Sequence, residues 1–519
     1  MRKLKIIYRS GALLAAIIFM QPLFAQTIQT NPATIELQKA KSLWFNTNNG
    51  AGLVLDQMKD FTIVNLGYTT KTGDFKLRQQ GTREGDINVG AEGGLALGGG
   101  YVWGKISYDN ILQKNTQYNT TMLDPDRGMP YYVADPVISD WVKQSYQLSM
   151  KAATPKLWNL LYLGIEADYQ TKTGAKQMDP RSKTDYYSID VRPSVLFNLK
   201  EHSIGLNFEY QNNNQESAPT LSNSQQEQIV YLLKGVGNYS SGVVGGLQGI
   251  SSYVYSGNKL GGGLQYSYTI NEYKALLSGN YSYRVEDVIT APSKPKKVGT
   301  IKDAFYGGNL QLVKAGKDMH KLEIGYKENK LSGIEYVQVL DNTYEVQQWI
   351  TVHSSVRSKF TYKEAYGKYD FFRGADTEYN WRVGVDGSYN SSTDTYLLPH
   401  SSMHVKNFCA GLNFKYNIPV DKSTRILAGV NGKFNKNIEA SYNYNGADPM
   451  SLVVTDFMTP DFLYRAQDYY KAGAEATMFF NISKANTSGM FVKVACDYYK
   501  PKEGDGNRVV ANFGLGFTF

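Results

Sequence analysis

The sequence predicts an all-β fold: a transmembrane antiparallel up-and-down β-barrel of about eighteen strands, within a range of roughly 16–20. Three observations predict it. Apolar and polar residues alternate with a period of two in segment after segment. The connections between those segments alternate between short and long. The final twelve residues, Arg508 to Phe519, read as one such strand ending on an aromatic.

The closing strand shows the pattern. Counting back from Phe519, the residues Phe517, Leu515, Phe513, Ala511 and Val509 are apolar. Thr518, Gly516, Gly514 and Asn512 between them are small or polar, and Val510 is the exception. A strand of this kind resembles the terminal signal that outer-membrane barrels present to their insertion machinery, which is therefore an expected partner. Other strands repeat the period. Leu161, Leu163, Ile165, Ala167 and Tyr169 alternate with Tyr162, Gly164, Glu166, Asp168 and Gln170. Ile204, Leu206, Phe208 and Tyr210 alternate with Gly205, Asn207, Glu209 and Gln211. Ala410, Leu412, Phe414 and Tyr416 alternate with Gly411, Asn413 and Lys415. A β-sandwich would also alternate. The polar face here carries many charged residues, Asn and Gly, and Tyr often closes a strand where a membrane–water girdle would lie, which favours a barrel with a polar lumen.

The compartment follows from the first residues. Arg2, Lys3, Lys5 and Arg9 precede a short apolar run from Gly11 to Met20, and Ala25 ends a small-residue step before Gln26. This is expected to be a secretory signal peptide over residues 1–25. No later run approaches the ~20 apolar residues of a spanning helix, and mean hydropathy is −0.40. A barrel has such a value because half of its wall faces water. The cell outer membrane, with its lipids as partners, is the expected location. The formal charge is +8, and removing the four basic residues of the leader leaves +4. So small a charge implies no nucleic-acid partner. The 40 Tyr, 49 Gly and 22 Phe fit β-structure with interfacial aromatics. Cys409 is expected to face the lumen and Cys496 the lipid, without a disulfide or a thiolate metal site.

Strands are expected near 61–70, 86–95, 99–109, 143–153, 158–170, 186–199, 201–211, 261–270 and 273–286. They continue near 301–313, 319–331, 350–371, 378–391, 401–417, 424–438, 466–481, 487–499 and 507–519. Short gaps include Leu97-Gly98, Thr154-Pro155-Lys156, Lys200, Asn271-Glu272, Ala315-Gly316-Lys317, Phe372-Arg373-Gly374, Pro419 to Lys422 and Ser483-Lys484-Ala485. Long gaps are expected at 110–142, 212–260, 287–300, 332–349 and 439–465. Short turns on the periplasmic side and long loops outside give this parity. The region 330–372 leaves room for an additional hairpin.

Residues 26–60 precede the barrel, which is assigned 61–519. Asn31 is placed to cap a helix running through Ile35, Leu37 and Ala40 to Leu43-Trp44, followed by an Asn/Gly turn over Asn46–Gly50. The segment is too short for a folded plug domain. It suits a hatch in the lumen, a periplasmic docking segment or a plain N-terminal arm.

Motifs for chemistry are weak. His202 and His320 sit beside expected periplasmic turns. His400 and His404 would share a helix face, but in a strand they lie roughly 13 Å apart, too far for one metal. His353-Ser354-Ser355 and His400-Ser401-Ser402 each place a His and a Ser on one strand face, as a lipid-modifying enzyme would need. Neighbours two apart lie ~6.5–7 Å apart, beyond hydrogen-bond reach. Asp124, Asp126 and Asp135 flank Met129-Pro130-Tyr131-Tyr132 in the first long loop and could hold Ca²⁺, but without the spacing of an EF-hand; an ordered aromatic loop that folds back over the pore mouth is the preferred reading. The glycine clusters Gly90–Gly100 and Gly242–Gly249 do not join strand to helix, so they make no phosphate loop. No catalytic residue, cofactor site or metal site is assigned, and no enzymatic activity is expected.

The stretch Lys41-Ser42-Leu43-Trp44-Phe45-Asn46-Thr47-Asn48-Asn49-Gly50-Ala51-Gly52-Leu53 and the strands after it resemble a family of uncharacterised outer-membrane barrels from gut-type anaerobes. The resemblance implies work beside a TonB-dependent transporter or a surface lipoprotein. The expected function is a porin-like channel or accessory component for uptake of a small solute. The alternatives are a plugged barrel that binds such a partner, and an outer-membrane lipid-modifying enzyme.

Overall fold

Alternation over so many segments is satisfied by one closed sheet. The computed structural model describes residues 31–122, 130–223, 225–245, 252–290, 295–343, 347–482 and 488–519. The expected leader and the turn Ser483-Lys484-Ala485 lie outside them. The wall opens with β1 (Phe61–Thr72), β2 (Arg83–Leu97) and β3 (Gly100–Thr116). A short strand off the wall, β4 (Tyr132–Ala134), precedes β5 (Ser139–Ala153), β6 (Leu161–Lys176), β7 (Arg181–Leu199) and β8 (His202–Thr220). The hairpin β9 (Gln228–Gly235) and β10 (Asn238–Val244) also leaves the wall. The wall resumes with β11 (Tyr253–Ile270), β12 (Tyr273–Thr290), β13 (Lys296–Lys314), β14 (Asp318–Asp341), β15 (Gln348–Arg373) and β16 (Trp381–Leu397). It ends with β17 (His400–Pro419), β18 (Thr424–Asn443), β19 (Tyr469–Asn481), β20 (Gly489–Pro501) and β21 (Arg508–Thr518).

Among the described residues the wall has eighteen strands, one for each expected. β21 pairs with β1, setting Phe513 opposite Tyr68 and Leu515 opposite Leu66. Phe519 exchanges both backbone hydrogen bonds with Thr62, at 2.9 and 3.1 Å. Closure leaves no strand edge, as lipid requires of a spanning sheet.

The two faces are unlike. Outward side chains are apolar and bare: Leu412 is 57% and Phe513 53% exposed, with Leu206, Phe208, Leu264, Ile324 and Val494 in the same band. The run from Ile204 to Tyr210 spans about 20 Å at ~3.3 Å per residue, close to the ~25 Å belt of an outer-membrane barrel. Tyr266 and Tyr369 mark its periplasmic rim. There His202 and His320 bond to their hydroxyls at 2.7 and 2.8 Å. The chain is an outer-membrane β-barrel. Cys409 is buried inside and Cys496 is exposed outside, and both are free.

The loop expectations need correction. Long outer connections do occur at 117–138, 221–252 and 444–468, but 287–300 and 332–349 are mostly strand. β14 and β15 have 24 and 26 residues and pair from Asp341↔Gln348 down to Asp318↔Arg373. The additional hairpin allowed within 330–372 is the outward extension of these two strands. A membrane needs only ~9–11 residues per strand. Beyond it both faces are wet, so the alternation that reveals a strand stops before the strand does. Tight outer turns also occur, as at Leu398-Pro399 between β16 and β17.

Candidate functional site

The candidate site is the lumen, which holds a structured segment at each end. At the periplasmic end lie residues 31–60. The helix α1 (Pro32–Lys41) starts where expected: the Asn31 side chain accepts from Thr34 N at 2.8 Å, and Pro follows the cap. Its polar face meets inward-pointing wall residues. Glu36 accepts from Lys415 Nζ at 2.8 Å and from the Tyr379 hydroxyl at 2.7 Å. Asn31 donates to Glu378 at 2.7 Å, and Glu378 pairs with Arg425. Lys39 pairs with Glu92 at 2.5 Å. The apolar face, with Ala33 and Leu37, joins Leu43 and Trp44 in a cluster with wall residues Leu196, Leu276, Val313, Met319 and Phe372. Burial beside Glu36 holds the Tyr379 phenol well above its ordinary range.

The Asn/Gly stretch then lies flat on the wall. Asn49 donates to Gln265 at 2.9 Å, and Ala51 N donates to Ser194 Oγ at 3.1 Å. A Cβ on Gly50 would stand 2.7 Å from the Ile165 carbonyl oxygen, and one on Gly164 would overlap Ala51 N. Backbone packs on backbone here, which only glycine permits. Lys151 binds the Phe45 and Thr47 carbonyls at 2.9 Å each. Asp56 accepts from Trp44 N and Phe45 N at 3.2 and 2.7 Å, folding the segment back on itself. Burial pushes the Asp56 carboxyl up to about 7, against those two bonds.

At the outer end three distant loops fold together. β4 and the β9–β10 hairpin form a three-stranded sheet, and the helical stretch 453–465 lies beside it. Tyr118 stacks on Phe457 at 4.8 Å and donates to Asp456 at 2.8 Å. Tyr131, Tyr132, Val230 and Val453 join wall residues Tyr255, Val288 and Phe360 in one buried cluster.

The sequence candidates for chemistry are dispersed. Asp124 and Asp126 lie outside the described residues. Asp135 is fully buried and paired with Lys176 at 2.6 Å, and burial raises its carboxyl despite that partner. His404 bonds to Thr393 at 2.7 Å. Among the described residues no histidine is hydrogen-bonded to a serine side chain, and no group of three His, Cys, Asp or Glu could hold a metal. Of the first glycine cluster, Gly90, Gly93 and Gly94 are β2 wall residues, and Gly98 and Gly99 make the turn into β3. Gly242 lies in β10.

Residues 50–519 match the model of a family of unknown function, DUF6850. The chain belongs to this family. The DUF6850 match begins at Gly50, on the stretch that lies against the wall, and takes in all eighteen wall strands. No curated protein matches the sequence. Solved structures with a similar outline include the copper transporter OprC, at 9% identity and TM-score 0.39, over 88% of this chain and 80% of that one. The RagAB peptide transporter is similar at 8% identity and TM-score 0.38, over 88% and 86%. Pseudomonas aeruginosa OpdK with vanillate is similar at 8% identity and TM-score 0.31, over 89% and 98%. Likenesses this loose assign no activity, so function is read from the lumen itself.

Between its two ends the lumen keeps open space. A cavity of about 700 Å³ lies under the outer loops, bounded by Phe457, Met458, Phe360 and Met403. A second, of about 420 Å³, lies at mid-barrel above Asn48. Asn329 borders both. The wall beside the second cavity carries an ion-pair network. Arg192 meets Glu166, Asp190, Asp168 and Glu209 at 2.7, 2.7, 3.1 and 3.4 Å. Lys259 meets Glu209 at 2.6 Å, and Arg284 meets Asp303 at 2.7 Å. The strand pattern assigns Glu166, Asp168 and Glu209 to the lumen. Arg192 obeys the same parity: it lies opposite Glu166 and points inward with Asp190 and Ser194, while Ile189 and Pro193 point outward.

Proposed function

We propose that this protein is a gated conduit of the outer membrane, closed at rest, that admits a small solute into the cell envelope. In this reading residues 1–25 are a removed leader, 26–60 a hatch and 61–519 the conduit. One observation carries it: both ends of the lumen are occupied by segments held to the wall through separable polar and aromatic contacts, with cavities left between them. A barrel built only as a scaffold would gain from filling that space with side chains. Planar-bilayer recording tests the reading. The intact protein should be nearly silent, and loosening either end should give discrete conductance steps. Silence after both ends are loosened would end it.

A second reading has its own observation. The outer part of the β14–β15 hairpin stands above the membrane with Val337, Val339 and Val352 bare on its surface. Such a patch favours a partner, and a surface lipoprotein or a TonB-dependent transporter is the candidate. Co-purification that is lost on Val337→Asp and Val352→Asp would support this docking. A lipid-modifying activity has no comparable support. It would be detected as lipid processing that falls on His353→Ala or His400→Ala.

A further inference from the structure

The mid-barrel cavity has features that the network around it does not use. Asp303 is 8% exposed, yet its Oδ1 bonds to no protein group. Arg284 Nε, Asn280 Oδ1 and Asn329 Oδ1 are also buried without a protein partner, and all four residues line the same space. A buried polar atom left unpaired costs about 1–3 kcal/mol, so four among the residues around one cavity mark side chains that gain by turning a polar group toward a guest or water there. The sequence Gly261-Gly262-Gly263 in β11 lets side chains that border the space lie flat against the wall. A Cβ on Gly261 would stand 2.7 Å from Glu209 Oε2, and one on Gly263 would overlap Asn280 Oδ1.

The chemistry of the lining selects the guest. Arg192, Lys259 and Arg284 each meet at least one carboxylate, so no free cation waits for an anionic guest. What remains unpaired is a mixture of acceptors and one donor on planar groups, with the Phe305 ring beside them. A neutral guest whose groups both donate and accept suits this mixture best. Hydroxyls do so, and a sugar ring adds an apolar face for the aromatic. The volume lies inside the ~300–1,000 Å³ range of small-ligand sites.

We infer that the mid-barrel cavity between Asn280, Asp303 and Asn329 is a binding site for a neutral polyhydroxylated solute of monosaccharide or disaccharide size. The inference rests on the conduit reading only for access to the site. The test is calorimetric titration of the full-length protein with glucose, maltose and the zwitterion diglycine, in lauryldimethylamine oxide, which has no sugar headgroup. It is repeated on Tyr118→Ala, so that a closed outer end is not mistaken for a missing site. Saturable binding of glucose or maltose is expected. Asn280→Ala and Asn329→Ala should each weaken it by about 3- to 10-fold, one lost hydrogen bond apiece, with thermal unfolding unchanged. No sugar binding to either protein, diglycine binding as tight as sugar, or unaltered affinity in both Asn variants would overturn the site. Failure here is separable from failure of the conduit. A protein that binds maltose but never conducts loses the conduit and keeps the site. One that conducts when loosened but binds no sugar keeps the conduit and loses this solute class.

Discussion

The two ends of the lumen are closed by different means. The periplasmic end is closed by one continuous segment, residues 31–60, joined to the wall at Phe61. Much of its hold is polar: Glu36, Lys39, Asn49 and Ala51 bond to side chains of the wall strands, and Asn31 to Glu378 in the turn between β15 and β16. The outer end is closed by three loops, each joined to the wall at both of its ends, and held by packed aromatics around Tyr118, Tyr131, Tyr132 and Phe457. A segment joined to the wall by chain at one end, as the described residues 31–60 are, can leave as a unit once its contacts break. Doubly tethered loops can only part from one another. The periplasmic closure is therefore suited to all-or-none release, and the outer one to partial opening.

The largest effect should come from the wall under the periplasmic segment. On Gly164 a Cβ would overlap Ala51 N, with Gly50 just behind it. Neither backbone can move without losing the Ala51–Ser194 bond. Gly164→Ala should expel residues 44–56 and leave the wall paired. Limited proteolysis should then cut within that segment, and bilayer conductance should rise. Gly67→Ala is the control, because its Cβ meets nothing closer than 3.7 Å.

The outer end should yield in smaller steps. Tyr118→Ala removes a fully buried ring, its stack on Phe457 and its bond to Asp456. Loss of a large buried aromatic costs about 3–5 kcal/mol. Because each loop stays anchored at both ends, the expected outcome is brief, partial conductance rather than a permanently open channel. Tyr118→Phe, which keeps the ring, should stay close to the intact protein.

What the sequence revealed followed the period of two. All eighteen wall strands, the closure at Phe519 and the capped helix after Asn31 were legible because lipid on one face and water on the other impose a pattern. Strand ends outside the membrane were not, since Gln338 and Thr351 meet water on either face. The site was legible only as a polar lining. Glu209 and Lys415 could be assigned to the lumen by parity, but nothing local shows that Lys415 meets Glu36 across 379 residues of chain. The outer closure was legible only in part: the aromatic loop around Tyr131 and Tyr132 was expected over the pore mouth and packs there, but its pairing with β9 and β10 forms only after the barrel has brought their loops together.

A pH titration sharpens the contrast between the ends. Released, the Asp56 carboxyl has its ordinary value near 3.8, and docked it sits at about 7. The docked form holds the proton more tightly, so protonation favours docking. This contribution is complete below the released value and is lost as pH rises through about 7. Exchange of the Trp44 and Phe45 amides should accelerate between pH 5 and 8 beyond the ordinary base-catalysed trend. Asp56→Asn should remove that excess. The outer loops, held by ring packing, should show no matching step in the amides of β9.

The smallest effect tests whether charge or packing holds the helix α1. Lys415 binds both Glu36 and Glu475 at 2.8 Å, in a lumen that is partly wet. Lys415→Gln keeps the length and loses the charge. Ion pairs open to solvent contribute about 0–1 kcal/mol, so docking of residues 31–60 should weaken by no more than about fivefold. The change should shrink further at high salt, where screening already weakens the pair. A larger, salt-independent loss would mean that the segment is held chiefly by the cluster around Leu37 and Trp44, and that the substitution had disturbed it. The periplasmic closure would then be a packed one like the outer, and the contrast between the two ends would rest on tethering alone.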